Sequence, residues 1–329
     1  MSLESDEHAQ RWFGSPPPRF NPDEGEVVAE PPGSGYGYWA GAPSAAYDPA
    51  SRKFYLYYRL RWPLGGRRGG TARIAESPDG SRFETIWSVE REELKANSIE
   101  GASILQTPRG LWRLYISFEV REAYDRCPPT WRVSVIEAKH PSQFAAPDER
   151  PVLDGPMFGF PFIKDPAVYL IGGQTCAFCQ VAEAVQHVGP DAEGVRRPAG
   201  RAAGALFTSA DGLRFTEGRI VFAPEGGGRW DGFARRFTSI LYSPPVFYGF
   251  YDGAAGRADS YDEFCGLARS LDLIHWTPLC LDGPWARSSH ASGSVRYLEA
   301  LRVGSTIHYY YEYARSDRAH ELRHFAAAL

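Results

Sequence analysis

The chain has 329 residues, 43% of them hydrophobic, which is enough for two ordinary domains or one large all-β domain. Its formal net charge of −4 argues against a general nucleic-acid binder, and no apolar run approaches the roughly 18 residues that span a membrane. The 34 glycines, 26 prolines and 14% aromatic residues favour a β-rich, turn-rich protein over a helical one.

Residues 1–24 are predicted to form an N-terminal extension, which starts with the polar and acidic stretch MSLESDEHAQRW. No apolar signal-peptide core follows it, so we expect a cytoplasmic protein that does not contact membranes. The next segment, GEVVAEP, is predicted to supply an outer strand to the last repeat of the fold.

From there a pair of strands recurs along the chain, a short apolar strand followed by a turn and an aromatic-rich strand. A third strand such as GTARIAES follows each pair, and then a polar turn that ends in an aromatic residue, with outer strands such as ETIWSVE after it. The period is about 60 to 70 residues, as for β-propeller blades of four antiparallel strands. The pairs begin at Ala42, Gly101, Asp165, Phe237 and Tyr297.

The repeats predict an all-β fold, a five-bladed β-propeller with four antiparallel strands per blade, formed by residues 25–329 as a single domain. Asp79, Asp211 and Asp272 lie in the polar turns and are interpreted as turn formers. Cys176 and Cys179 have the spacing of a zinc motif, but they lie in a strand, where residues three apart face opposite sides. They are interpreted as buried small hydrophobic residues.

The starts of the innermost strands all meet at one mouth of such a propeller, and four of the five starts carry a charged residue. Buried ion pairs stabilise a protein poorly compared with apolar packing, so we interpret these charges as a ligand site. The candidate catalytic carboxylates are Glu100, Asp165 and Glu299, of which Glu299 is expected one step further into the channel. The candidate substrate-binding residues are Trp39, Lys164, Arg236, Asp252, His290 and Arg296.

Three of these assignments leave alternatives open. Trp39 either stacks on a sugar ring or plugs the channel. His290 lies in a loop of unknown orientation. We predict no metal site and no cofactor, and bound calcium is left as an alternative that no Asp-rich loop supports.

At these positions the sequence resembles the five-bladed glycosidase superfamily that contains glycoside hydrolase families 43, 62, 32 and 68. Glu100-Gly101, before GLWRLYIS, is similar to the general-acid motif, and Lys164-Asp165-Pro166 is similar to the motif whose Asp stabilises the transition state or tunes the acid. The superfamily opens its first blade with a catalytic Asp-Pro, where this chain has Ala42-Pro43. The resemblance implies a glycoside hydrolase-like enzyme in which Glu100 donates the proton and Asp165 is its partner.

Two other functions remain open on the same residues. Lys164, Arg236 and Arg296 lower carboxylate pKa values and favour an anionic ligand, as in the more distantly similar family 130 phosphorylases, which hold phosphate with basic residues. A phosphate-using phosphorylase or transferase is therefore one alternative. The other is an inactive propeller that binds a carbohydrate or an anionic metabolite, for which Ala42 is the main argument. A small-molecule carbohydrate or anionic substrate is the expected partner, and the sequence does not predict the oligomeric state.

Overall fold

Strands provide nearly all the regular structure of the chain. The computed structural model describes residues 13–120, 131–183, 186–187 and 198–329. Within these ranges no α-helix occurs, and the helical segments are 3-10 turns of three or four residues. None of the described helical segments is long and apolar enough to span a membrane.

Most of the described strands pair antiparallel in five units of four, which we number in chain order. Unit 1 contains β2 (Trp39–Asp48), β3 (Lys53–Arg61), β4 (Gly69–Ser77) and β5 (Glu84–Glu90), and unit 2 contains β6 (Ala96–Gln106), β7 (Trp112–Val120), β8 (Trp131–Ala138) and β9 (Arg150–Asp154). Unit 3 contains β10 (Ile163–Ile171), β11 (Gln174–Ala182), β14 (Ala202–Ser209) and β15 (Thr216–Phe222). A small ladder of β12 (Gln186–His187) and β13 (Pro198–Ala199) lies between β11 and β14 in sequence.

The last two units follow the same plan. Unit 4 contains β16 (Ala234–Ser243), β17 (Val246–Ala254), β18 (Phe264–Ser270) and β19 (Thr277–Pro278). Unit 5 contains β20 (Val295–Val303), β21 (Thr306–Ala314), β22 (His320–Ala328) and, from the other end of the chain, β1 (Glu26–Ala29). Because β1 pairs antiparallel with β22, the segment GEVVAEP supplies the outer strand, as the sequence indicated.

The first strands of the units contact one another in the cyclic order β2, β6, β10, β16, β20 and back to β2. Serine side chains link them, since the Oγ atoms of Ser44, Ser103 and Ser239 accept hydrogen bonds from backbone N–H groups of the next unit at 3.0 to 3.2 Å. Glu299 takes the equivalent place in unit 5. The cyclic order is typical of a propeller. The all-β prediction is confirmed, whereas the count of five blades stays a prediction.

The apolar core lies between the faces of neighbouring units. Between units 1 and 2, for example, Trp87 packs edge-on to Phe144 and donates a hydrogen bond from its indole N–H to the Phe144 carbonyl at 2.7 Å. Much of the core therefore depends on side chains that one unit inserts against the next. The same interface buries Tyr55, Tyr57, Ile74, Leu114, Ile116 and Phe118.

The polar turns repeat one hydrogen-bond pattern. Asp79 accepts backbone N–H bonds from Ser81 and Arg82 at 2.8 and 3.0 Å, and Asp211 and Asp272 make the same pair of bonds in their own turns. Their interpretation as turn formers is confirmed. Cys176 and Cys179 are likewise buried and free.

Residues 13–24 pack on unit 5. The Phe20 ring stacks on Tyr309 and Phe325, with centroid distances of 4.6 and 5.0 Å, and the Pro18 carbonyl accepts a hydrogen bond from the Tyr309 hydroxyl at 2.9 Å. This part of the predicted extension also contacts unit 4, since the Tyr248 hydroxyl donates a hydrogen bond to the Gly14 carbonyl and Phe20 packs against the apolar core between units 4 and 5. The domain boundary at residue 25 stays a prediction.

Phe20→Ala should lower the free energy of unfolding by about 2 kcal/mol, because it removes a half-buried ring from an aromatic cluster. Urea denaturation measures the change. Phe13→Ala is the matched control, since Phe13 is 61% exposed, and we expect an effect within about 0.5 kcal/mol. Equal losses in the two variants would contradict the packing described for this segment.

Candidate active site at the axial mouth

Polar side chains from the first and second strand of each unit converge at one end of the ring, which we call the axial mouth. Gly41, Lys164, Arg236 and Arg296 on the first strands lie opposite Arg59, Gln180, Asp252 and Glu312 on the second strands. Glu100 and Ser117 hold the equivalent places in unit 2. Glu100, Arg236 and Arg296 are buried, and Lys164 is half-buried.

The first strands bend where they enter this layer. Ala42, Asp165 and Tyr297 adopt left-handed backbone angles, with φ of 51°, 50° and 49°, and the strand register shifts at the same points. Such angles are unfavourable for residues other than glycine and often occur at functional sites. Gly101 is the equivalent residue of unit 2, and a Cβ there would lie 2.9 Å from Asp165 Oδ1. The glycine after Glu100 thus lets the Asp165 carboxylate approach.

Glu100 is ion-paired. Its Oε2 accepts a hydrogen bond from Arg59 Nη1 at 2.6 Å, and its Oε1 accepts one from Ser98 Oγ at 2.9 Å. Burial raises the pKa of Glu100, but the cations Arg59, Lys164 and Arg68 outweigh burial and hold the pKa well below its usual value. Glu100 is therefore ionised at neutral pH.

Asp165 is held in a similar way. Its Oδ1 accepts the Gly101 N–H at 2.8 Å, and its Oδ2 accepts a hydrogen bond from Arg236 Nη1 at 2.8 Å. Burial raises the pKa of Asp165, and Lys164 and Arg236 together lower it below its usual value. Lys164 Nζ lies 3.4 Å from Asp165 Oδ2 and 4.0 Å from Glu100 Oε2, so the two carboxylates share one ammonium group.

Asp252 behaves in the opposite way although it binds the same guanidinium. Arg236 Nη2 donates to its Oδ2 at 2.9 Å, and the Tyr297 N–H donates to its Oδ1 at 3.0 Å. Burial, with a contribution from the Glu263 carboxylate, raises the pKa of Asp252 to about 7. Arg236 therefore connects an ionised carboxylate, Asp165, with a carboxyl group that is partly protonated at neutral pH.

Tyr297 lies at the centre of the mouth. Three guanidinium groups surround its ring, Arg236 at 4.0 Å, Arg296 at 5.3 Å and Arg59 at 5.4 Å from the ring centroid. Its hydroxyl accepts a hydrogen bond from Arg236 Nη1 at 2.7 Å. Tyr297 also lines a cavity of about 20 Å³, together with Pro43, Asp165 and Pro166.

A second ion-pair group lies beside Trp39. Arg296 donates to Glu312 Oε1 and to Glu263 Oε2, both at 2.6 Å, and His320 Nδ1 lies 2.8 Å from the same Glu312 oxygen. The Trp39 ring stacks on His320 at 5.1 Å. Trp39 is therefore part of the buried wall of the mouth.

The predicted site residues do not all come together. Glu100, Lys164, Asp165, Arg236, Asp252 and Arg296 form one contiguous cluster, as the pairs above show. Glu299 lies one level deeper, buried, with no hydrogen bond or ion pair to the described residues, and burial raises its pKa well above the usual value. His290 is exposed and lies edge-on to Tyr313 at 6.1 Å. The catalytic and binding roles of all these residues stay predictions.

Gln180 was not singled out from the sequence, and Arg59, Glu263, Tyr297 and Glu312 were expected only as residues of the axial ring or its wall, with no catalytic or binding role. Most are second-strand residues, and their signal was the alternation of strand side chains, which directs every second residue to the same face. Counting by twos from the buried Tyr57 gives Arg59 and then Arg61. The described residues hold no group of three or more His, Cys, Asp or Glu side chains that could bind a metal ion.

No family model and no curated protein matches the chain. Solved structures do match it along most of its length. It is similar to a putative glycoside hydrolase from Bacteroides ovatus (15% identity, 94% of this chain and 96% of that chain, TM-score 0.62). A structure from the family 130 mannoside phosphorylases, which include hydrolases that target β-1,2 mannosidic linkages, matches at 16% identity (96% and 94%, TM-score 0.61). A thermostable family 43 glycoside hydrolase matches at 11% identity (92% and 93%, TM-score 0.62).

These identities are low, so the matches establish the fold and not the activity. The neighbours are proteins of the glycoside hydrolase kind, and the resemblance drawn from the sequence motifs is confirmed at the level of the fold.

The ion pair of Glu312 should make stability depend on pH. Burial opposes ionisation, but Arg296 and His320 lower the pKa of Glu312 from 4.5 to about 2. A folded-state pKa below the unfolded one contributes stability above about pH 4.5, and the contribution is lost as the pH falls towards 2. We expect Glu312→Gln to be less stable than the parent by about 3 kcal/mol at neutral pH, with more than half of that difference gone at about pH 3. Urea unfolding of both proteins across this range measures it, and a pH-independent difference would contradict the ion pair.

Proposed function

We propose that this protein is a glycoside hydrolase-like enzyme that binds a carbohydrate in the axial mouth and cleaves a glycosidic bond there. The observation that carries the proposal is the pairing of Glu100 and Asp165 across one ammonium group. Lys164 Nζ lies 4.0 Å from Glu100 Oε2 and 3.4 Å from Asp165 Oδ2. These two oxygens are therefore close enough to satisfy the upper limit of roughly 9.5 Å on the separation of the two carboxyl groups in glycosidases.

The surroundings of this pair suit a sugar. The rings of Trp62, Trp131, Tyr36 and Tyr261 are half-buried around the charged cluster, and Lys164 Nζ lies 5.3 Å from the centre of the Trp131 ring. Apolar ring faces combined with a few convergent polar groups are typical of small-molecule sites. The structural neighbours named as glycoside hydrolases support the same class of substrate, while the sugar and the linkage are left open.

The pKa directions favour ionised roles for both members of the pair. Glu100 was expected to donate the proton, but the pKa of its carboxyl lies well below the usual value, because Arg59, Lys164 and Arg68 outweigh the effect of burial. We therefore assign to Glu100 and Asp165 the stabilisation of the positive charge that develops on the sugar ring in the transition state. Asp252 has the raised pKa of a proton donor, but it is fully buried beside Tyr297 and out of reach of a substrate.

This assignment limits the substrates. A site that contains two ionised carboxylates and, among its described residues, no accessible carboxyl group with a raised pKa works best on a leaving group that departs as a stable anion without protonation. We therefore expect the ratio of kcat for a 4-nitrophenyl glycoside to kcat for the matching methyl glycoside to be larger than in glycosidases that protonate the leaving group.

The experiment is turnover of a panel of 4-nitrophenyl glycosides by the parent, Glu100→Gln and Asp165→Asn. Each substitution should lower kcat by about 100-fold or more, since it removes a charge needed in the transition state. Each also leaves a buried cation with one anion fewer, so some loss of stability will accompany it.

Asp231→Asn is the matched control. Asp231 is also fully buried and ion-paired, to Arg235 Nε at 2.9 Å and Arg229 Nε at 3.1 Å, and neither partner belongs to the mouth. It should lose stability and keep its kcat. Parent-like turnover in Glu100→Gln and Asp165→Asn would remove both residues from the mechanism.

Two alternatives make different predictions. A propeller that only binds its ligand is favoured by the ion pairing of both candidate carboxylates, and it would bind sugars without turnover of any panel member. A phosphorylase is less well supported, because Lys164, Arg236 and Arg296 are already paired with carboxylates. Turnover that requires inorganic phosphate would establish it.

A further inference from the structure

Among the described residues of the axial mouth, one basic side chain has no acidic partner. Arg61 follows Arg59 on the same face of β3 and is 3% exposed. Among the described residues, no carboxylate forms an ion pair with its guanidinium group and no acceptor forms a hydrogen bond with it. By contrast, Arg59, Lys164, Arg236 and Arg296 each form an ion pair with at least one carboxylate.

Aromatic rings hold Arg61 in place. Its guanidinium carbon lies 4.1 Å from the centre of the Trp39 ring and 4.6 Å from that of Tyr261. These two rings meet each other edge to face at 5.5 Å, so they cover two adjacent sides of the guanidinium group and not its two opposite faces. Stacking of this kind orients an arginine without occupying its N–H groups.

A second donor beside Arg61 is also unused. The indole N–H of Trp39 is buried and has no hydrogen-bond partner among the described residues. Trp39 lies directly opposite Arg61 in the β2–β3 pairing, so both unused donors belong to one corner of the mouth. Buried donors are normally satisfied, and a pair of unsatisfied ones in a mouth indicates a group that arrives with a ligand.

The charge of Arg61 indicates what that group is. Burial lowers the pKa of Arg61; Tyr261 and Glu100 oppose this effect, and the neighbouring cations Arg68 and Arg59 add to it. A guanidinium nevertheless stays charged at neutral pH. The corner therefore has one positive charge to be matched, which fits a monoanion. A phosphate group carries close to two negative charges and would need a second unpaired cation to balance them.

We propose that Arg61 binds the carboxylate of an acidic sugar and makes the mouth selective for hexuronate residues over neutral hexoses. The inference rests on the proposed carbohydrate function of the same site and names the class of sugar. Arg61 forms charge-assisted hydrogen bonds to the carboxylate, and Trp39 and Tyr261 provide apolar walls beside them.

The test is the affinity of glucuronate, galacturonate and mannuronate, each compared with its matching neutral hexose, measured by calorimetry with the parent and Arg61→Met. At least one hexuronate should bind the parent about tenfold or more tightly than its hexose, the effect of one charged hydrogen-bonded contact. Arg61→Met should lose this preference and retain the affinity for the hexose. Arg67→Met is the control, because Arg67 lies in the same region, is 46% exposed in its side chain and is paired with Glu90, and it should bind like the parent.

The outcomes separate the two proposals. Hexose binding without a hexuronate preference in the parent overturns the role of Arg61 and leaves the proposed function standing, whereas no binding of any sugar overturns both. A preference that survives in Arg61→Met overturns the assignment to this residue. Inorganic phosphate that binds more tightly than every hexuronate, and only when Arg61 is present, overturns the carboxylate in favour of a phosphate ligand.

Arg61→Met should fold, because an apolar side chain of similar length replaces a buried charge that has no partner among the described carboxylates. Its melting temperature is expected to equal or exceed that of the parent. If the variant does not fold, Arg61→Lys keeps the charge and loses the fork of donors. In that variant the hexuronate preference should fall by at least threefold without disappearing, and an unchanged preference would overturn the proposal.

Discussion

Ion pairs that cross from one unit to the next fix the geometry of the mouth. Arg59 of unit 1 holds Glu100 of unit 2, and Arg236 of unit 4 holds Asp165 of unit 3. Lys164 of unit 3 lies between the carboxylates of its own unit and of unit 2. Removal of one partner from a buried pair leaves an uncompensated charge and costs about 3 to 5 kcal/mol. The relative positions of the units, and of Glu100 and Asp165, therefore depend on opposite charges that meet at the axis.

The same constraint shapes the chemistry. The cations that pair with Glu100 and Asp165 lower the pKa values of these carboxylates and keep them ionised. The ion pairs that join the units therefore also determine the protonation state of the two residues proposed for catalysis. Asp252 differs because it is fully buried, lies near Glu263, and shares the Arg236 guanidinium with Asp165. The side chains proposed for catalysis are thus the same ones that hold the units together, and the first strand of unit 1, with Gly41 and Ala42 at these places, contributes no charge to the mouth.

Much of the fold follows from local patterns in the sequence. Repeated strand pairs, the Asp-containing turns and the apolar stretch at β1 each carry their own signal, and β1 does pair with β22. The first-strand charges could be predicted because they precede a recognisable strand. The partners of those charges could not, since the contact between Arg59 and Glu100 depends on how two units pack. Neither could the exposure of His290, because it lies in a loop, where no alternation of strand side chains indicates an orientation.

The contact between units 1 and 5, which we call the seam, also determines when the ring can finish folding. β1 pairs with β22, and β2 meets β22 at one parallel bridge between Trp39 and His320, so the segments that close the ring are separated by nearly the whole described chain. Closing such a long loop costs entropy that no local contact repays beforehand. During synthesis on the ribosome, units 1 to 4 emerge while the edge strand of the seam still lacks its partner. The ring therefore closes late, and in the meantime the Trp39 side of unit 1 is a surface that chaperones or neighbouring chains can reach.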